Sequence, residues 1–217
     1  ADLFMKGLEN DRAFQKRYMV APIEVKDPSG KKTIATVAGD EGVFPTTRDG
    51  LAKLKPVLKD GVITFGAQTF PADGNAGILV TNEAKARELS RDRKIAIRVL
   101  SYGQARVKKA FMAAAIVPAG DIALERAGVK MKDIKAIKTH TPFAVNDVFF
   151  VKNYGLPITA MNNYGCSLVY GHPQGPTGAR TIIELIEELV ILGGGYGMFN
   201  GCAAGDTGAA IVLRVDC

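Results

Sequence analysis

The sequence predicts an α/β protein, a layered sandwich of sheet and helices. Apolar residues recur at helical spacing in some segments and alternate, or run in short blocks, in others. The two kinds of segment follow one another along the chain. The last two strand-like segments, Tyr196–Asn200 and Ala209–Val215, flank a compact glycine-bearing turn, which is the pattern of a hairpin.

The elements follow in order. The first 20 residues predict a short helix with an apolar stripe at Leu3, Leu8, Phe14 and Tyr18. Asp27–Pro28–Ser29–Gly30 has turn chemistry, and its flanks Ile23–Val25 and Thr33–Val37 predict a hairpin. Ala38–Gly50 reads as a loop, and Leu51–Leu58 as a short basic amphipathic stretch that Pro56 interrupts. Val62–Phe65 and Ala76–Val80 read as buried strands. Asn82 caps a helix to Ser90, with Glu83 in its first turn. Lys94–Tyr102 alternates at Ile95, Ile97 and Val99 and reads as a strand.

Asp121–Ala127 predicts a helix that Gly128 closes. Ile134–Lys138 predicts a strand leading into His140–Thr141–Pro142–Phe143, and Ala144–Asn153 a helix. Ile158–Met161 reads as a strand. From Thr177 to Leu192, Ile182, Leu185, Ile186, Leu189 and Leu192 mark one helical face, while Glu184, Glu187 and Glu188 mark the other. Gly193–Gly194–Gly195 ends that helix.

Composition narrows the function classes. A chain of 217 residues makes one large domain or one and a half. With 47% hydrophobic and 23% charged residues it is globular rather than disordered. There is no uncharged apolar run of the ~18 residues a membrane span needs, and the start lacks the pattern of a secretory signal. The net charge of +6 is dispersed, with basic residues alternating with acids and apolar residues, so a nucleic-acid partner is not expected. Cys166, Cys202 and Cys217 are far apart and odd in number, which fits a reducing compartment rather than a disulfide framework. The cytoplasm is the expected location, with an organelle as the alternative. Two histidines and no CxxC leave no expectation of a metal site.

The residues that carry chemistry sit in loops after strands, where a rigid sheet holds a reactive tip. His172 lies in a Gly/Pro-dense loop just ahead of the helix that starts near Thr177, whose positive end points back at it. Cys202 ends a strand and opens a glycine-bearing turn whose backbone N–H groups suit an oxyanion. A Cys–His pair in one pocket does acid–base or nucleophilic work. A surface histidine and an inert buried cysteine are the plainer readings, and the residues alone leave both open.

Longer motifs then become visible. Gly171–His172–Pro173–Gln174–Gly175–Pro176–Thr177–Gly178–Ala179–Arg180 resembles the GHPxGxTGAR loop of thiolases. Gly195–Tyr196–Gly197 followed by Gly201–Cys202–Ala203–Ala204–Gly205–Asp206–Thr207–Gly208 resembles their GxYG…CxGGGxG turn. Thr46–Pro56, the Thr64–Gly74 loop and Val117–Gly128 resemble further stretches of the second half of a thiolase.

The resemblance implies the second half of the thiolase fold only, a layered α/β/α sandwich with a mixed sheet. Residues 1–92 would be a remnant of the loop domain and the end of the N-terminal domain, and 93–217 the C-terminal domain. It implies acyl exchange between thioesters through an acyl-cysteine, by Claisen condensation or CoA-dependent thiolysis. The nucleophile belongs to the family's N-terminal half, and no residue here matches it, so a partner half is expected, in a homo- or hetero-oligomer. His172 would deprotonate that nucleophile, and Cys202 would serve as general acid and base at the substrate α-carbon. His140 stands at the first position of the family's NEAF loop, an oxyanion position, with Thr141 and Pro142 as departures. Among residues contacting the coenzyme, Thr69 matches a hydroxyl on pantetheine, Gly66 shares its loop, Met112 matches a tunnel methionine, and the Ala204 N–H joins an oxyanion hole. Coenzyme A and acyl-CoA are substrates, with no cofactor bound permanently. The departures at Thr141, Pro142 and Ala204 point instead to a non-catalytic acyl-CoA-binding or scaffold subunit.

Overall fold

The structure, a computed structural model, describes residues 1–217. In chain order its principal elements are α1 (Asp2–Arg12), β1 (Ile23–Lys26), β2 (Thr33–Val37), α2 (Arg48–Ala52), α3 (Glu83–Leu89), β3 (Ala96–Arg106), α4 (Ile116–Ala127), β4 (Ile134–Thr139), α5 (Ala144–Tyr154), α6 (Ser167–Tyr170), α7 (Gly175–Ile191), β5 (Gly195–Ala203) and β6 (Thr207–Asp216). β1 and β2 form a separate antiparallel hairpin. The central sheet has the order β3–β6–β5–β4. β6 runs antiparallel to both β3 and β5, whereas β4 runs parallel to β5, so the sheet is mixed.

Side chains alternate across a strand, and both faces of this sheet are apolar. On one face Ile137, Met198, Ala210 and Val212 pack against Ile116, Ala119 and Ala123 of α4 and Phe150 and Val151 of α5. On the other, Ala136, Phe199, Leu213 and Val215 pack against Leu185 and Leu189 of α7. Helices on both faces of one sheet make the α/β/α sandwich. Gly103 lets α4 lie close to β3, since a Cβ there would strike the Ala119 carbonyl oxygen. No helix is long and apolar enough to cross a membrane.

The second face of α7 is buried too. Residues 14–18 and Asp40, the two ends of a segment whose β1–β2 hairpin is exposed, cross it as a strap. Phe14 stacks on Tyr164 at 3.7 Å between ring centroids. Arg17 pairs with Glu187 at 2.7 Å, and the Tyr18 hydroxyl donates to Glu184 at 2.7 Å. Asp40 takes two hydrogen bonds from the Arg180 guanidinium. One turn further along, Glu188 faces Lys138 of β4 at 3.2 Å, and the ammonium of Lys138 also donates to the Asn163 carbonyl. Both side chains of that pair are essentially inaccessible to water.

Several elements differ from the sequence expectation. Val62–Phe65 and Ala76–Val80 are neither strands nor buried: Val62 is 86% exposed and Val80 74%. An apolar run becomes a strand only where a neighbour takes its backbone hydrogen bonds, and here a neighbouring segment supplies one, the Val57 N–H donating to the Ile63 carbonyl at 2.8 Å in the isolated bridge of Thr64 to Pro56. Ile158–Ala160 is a single 3₁₀ turn after Pro157, with only Met161 buried behind it. In α1, Glu9, Asn10 and Asp11 leave helical geometry, and the residues it buries are Phe4 and Gly7. α4 begins at Ile116 rather than Asp121, because Pro118 falls in the first turn, where no N–H is required.

Candidate active site

Three segments meet at the ends of β4 and β5. β5 carries Cys202 as its penultimate residue, in register with Gly208 of β6. β4 runs directly into His140, whose N–H donates to the Asn200 carbonyl at 3.2 Å. His172 precedes α7, and its Nδ1 lies 2.7 Å from the hydroxyl of Thr177 in the first turn of that helix. The rings of His140 and His172 are 5.3 Å apart between centroids.

A fourth segment is stitched across this group. Residues 65–74 have little secondary structure of their own, but Gln68 bridges Phe143, and Pro71 bridges His172. The Thr69 N–H donates to the Pro142 carbonyl, and the His172 N–H to the Phe70 carbonyl, each at 2.8 Å. Gly171 makes this possible: its φ of +85° is the left-handed region, and a Cβ there would meet Ala72 at 2.6 Å.

Together the segments line a half-open cavity of about 610 Å³, a size that suits a small-molecule ligand. His140, His172, Cys202, Thr69, Met112 and Ala204 all line it. The structure thus brings together six of the seven residues expected from the sequence. Gly66 is the exception: it lies outside the cavity, packed toward Leu51 and Leu54. The Thr69 hydroxyl donates to the Ser167 carbonyl at 2.7 Å, which fixes the loop to α6.

The electrostatics follow from burial. Burial, reinforced by the neighbouring His172, pushes the His140 imidazole down to about 4. Burial lowers His172 as well, so both rings are neutral at pH 7. When Nδ1–H of His172 donates to Thr177, Nε2 carries the lone pair that a base needs. Burial raises the Cys202 thiol above its ordinary value, while a hydrogen bond from Asn146 pulls the other way. The site therefore rests as a protonated thiol and two uncharged imidazoles, able to exchange one proton at a time.

Asn146 is the partner of Cys202 that sequence reading missed. It lies in the first turn of α5, buried, and its amide donates to Cys202 Sγ at 3.2 Å. A donor on the sulfur favours the thiolate. The two residues are 56 positions apart, and nothing in their spacing announces the contact.

A layered α/β/α fold that delivers a cysteine and two histidines to one cavity defines a recognisable class. The model of the family described as "Thiolase, C-terminal domain" matches residues 93–215. The chain belongs to the thiolase family. It is 36% identical over 204 residues to the peroxisomal 3-ketoacyl-CoA thiolase A of Mus musculus, covering 93% of this chain and 48% of that one. Its fold matches the crystal structure of Bacillus anthracis acetyl-CoA acetyltransferase with a TM-score of 0.88 at 28% identity, over 99% of this chain and 53% of the other. Human mitochondrial 3-ketoacyl-CoA thiolase in complex with CoA matches with a TM-score of 0.80 at 28% identity, over 98% and 51%. The chain spans about half the length of the curated relatives it matches.

Proposed function

We propose that this chain is the acid–base half of a thiolase, catalysing reversible acyl transfer between CoA thioesters. The observation that carries the reading is the convergence of Cys202, His172 and His140 on one cavity, with Thr69, Met112 and Ala204 around it. The nucleophilic cysteine comes from an N-terminal half outside these 217 residues, on the same or a separate polypeptide. Residues 1–92 are the remnant of the loop domain and the end of the N-terminal domain, and 93–217 form the C-terminal domain. The assembly holds at least two copies.

In this reading His172 Nε2 takes the proton of the nucleophilic thiol, the resulting thiolate attacks an acyl-CoA carbonyl, and CoA leaves as the thiol by taking the Cys202 proton, which leaves Cys202 as the thiolate. In condensation, Cys202 as thiolate removes a proton from the α-carbon of acetyl-CoA. The carbanion attacks the acyl-cysteine carbonyl, a C–C bond forms, and the nucleophilic sulfur leaves. Thiolysis is the reverse, with the Cys202 thiol returning the proton. The neutral His140 ring and the Ala204 N–H act as donors to thioester oxygens as negative charge develops there. Relatives named for peroxisomes and mitochondria, together with three free cysteines, support an organelle interior or the cytoplasm as the location.

The test is Cys202→Ser in the assembly with its partner half. Acyl exchange is expected to fall by about 10³-fold or more, while acyl-CoA still binds and the nucleophile is still acylated. Exchange that survives the substitution would favour a binding or scaffold subunit.

A further inference from the structure

One buried polar cluster beside the site takes no part in the chemistry above. Asp147, in the first turn of α5, lies beneath the turn that carries His140 and does not line the cavity. Its Oδ1 accepts from the Thr139 hydroxyl at 2.6 Å, and the Thr141 hydroxyl lies 3.1 and 3.0 Å from its two oxygens. Its Oδ2 accepts from the Asn162 amide at 2.9 Å. Asn162 also reaches the hydroxyls of Thr139 and Thr141 at 2.9 and 3.2 Å, and its own oxygen accepts from the Thr139 N–H at 2.8 Å. All four residues are buried. Thr139 and Thr141 are the immediate neighbours of His140, so both flanks of the imidazole end on one carboxylate.

The backbone gives the cluster its meaning. Thr141 has a φ of +42°. A β-branched residue in the left-handed region is a genuine outlier. Such strain persists only where the surroundings over-determine it. Here the Asp147 carboxylate and the Asn162 amide do so. Without them Thr141 would relax toward negative φ, and the peptide that aims His140 would turn with it. The departure from the family loop at Thr141 thereby acquires a role, because a hydroxyl at this position is what the carboxylate holds.

We infer that Asp147 is a positioning residue for His140: its carboxylate, braced by Asn162, clamps the strained turn Thr139–Thr141 and so sets where the imidazole stands in the cavity. The clamp is read from geometry, and its effect on turnover rests on the acyl-transfer reading above.

The experiment is Asp147→Asn, which keeps the shape but turns one acceptor into a donor facing other donors. It is made in the whole protein with its partner half. Two readouts separate positioning from mere stability. With only two histidines in the chain, the His140 ring signals are resolvable by NMR. They are expected to shift and broaden into more than one environment, while those of His172 move little. In turnover, kcat is expected to fall about 10-fold or more with KM for the thioester changed less than about 3-fold. Thr139→Val, which keeps the strand and deletes the shortest contact to the carboxylate, is expected to move the same signals by a smaller amount. It decides the question if Asp147→Asn does not fold. A lowered Tm with unmoved His140 signals in either variant overturns the inference. The NMR readout needs no activity: a parent protein without acyl exchange whose His140 signals still respond to Asp147→Asn sinks the proposed reaction and supports the clamp.

Discussion

Only Phe4, Gly7, Phe14 and Gln15 among the 46 buried residues precede residue 93. From residue 93 onward the sheet has helices on both faces and two apolar clusters. Before it, the β1–β2 hairpin is exposed along nearly its whole length, and Leu79 and Val80 stand in solvent. Both regions contain ample apolar residues, so composition does not separate them. What separates them is whether the chain itself supplies the opposing surface. The second region folds around its own core, whereas the first is anchored by its strap on α7 and by residues 65–74 against His172, and leaves the β1–β2 hairpin and residues 76–80 with nothing set against them.

The contrast can be sharpened by substitution. The largest effect is expected at Lys138→Met, which leaves Glu188 buried with Asn163 as its remaining hydrogen-bond partner. A loss of about 3–5 kcal/mol in denaturant unfolding is expected, and Lys138→Met with Glu188→Leu is expected to recover most of it. Next, Leu185→Ala is expected to cost about 2–5 kcal/mol, against no more than about 0.5 kcal/mol for Leu79→Ala. Equal costs at the two leucines would break the comparison.

The smallest effect is a slope with pH. His140 is depressed from 6.5 to about 4, so its contribution to stability is full above about 6.5 and is lost as pH falls toward 4. Asp147 is raised from 3.8 to about 6 because burial outweighs its hydrogen bonds, so its contribution is full below about 3.8 and is lost as pH rises through 6. Between pH 4 and 6 the two oppose one another. Asp147→Asn removes the second. Relative to the parent, the variant is expected to lose about 1.4 kcal/mol per unit of acidification across that window, measured as the difference between two unfolding curves at each pH. A flat difference would place the Asp147 carboxyl at its ordinary value.

The sequence reading succeeded where a single element carries its own signal. The stripe Ile182, Leu185, Ile186 and Leu189, closed by three glycines, defines α7 without help from the rest of the chain. The Cys202 turn and the His172 loop are contiguous motifs, so their place in the site could be read directly. The errors share one cause. Val62–Phe65 and Ala76–Val80 look like strands because strand propensity is local, but strand formation requires a neighbour. The acids of α7 look like a polar face because the strap that buries them lies about 140–170 positions away, at Asp40, Tyr18 and Arg17. Asn146, Asp147 and Asn162 carry no motif, since their role consists of contacts made only after α5 packs on the sheet.

The outer face of α7 has a consequence for the order of assembly. Arg180, Glu184 and Glu188 stand one helical turn apart, and each is matched by a charged or hydroxyl group from another segment. Apolar surfaces tolerate sliding, whereas such a ladder admits one register. The strap can therefore lock only onto a helix already seated on its sheet. It is expected to be the last piece to close and the first to open, with amide exchange in residues 14–18 faster than in β5 and β6. Equal protection in the two would mean that strap and sheet open as one unit.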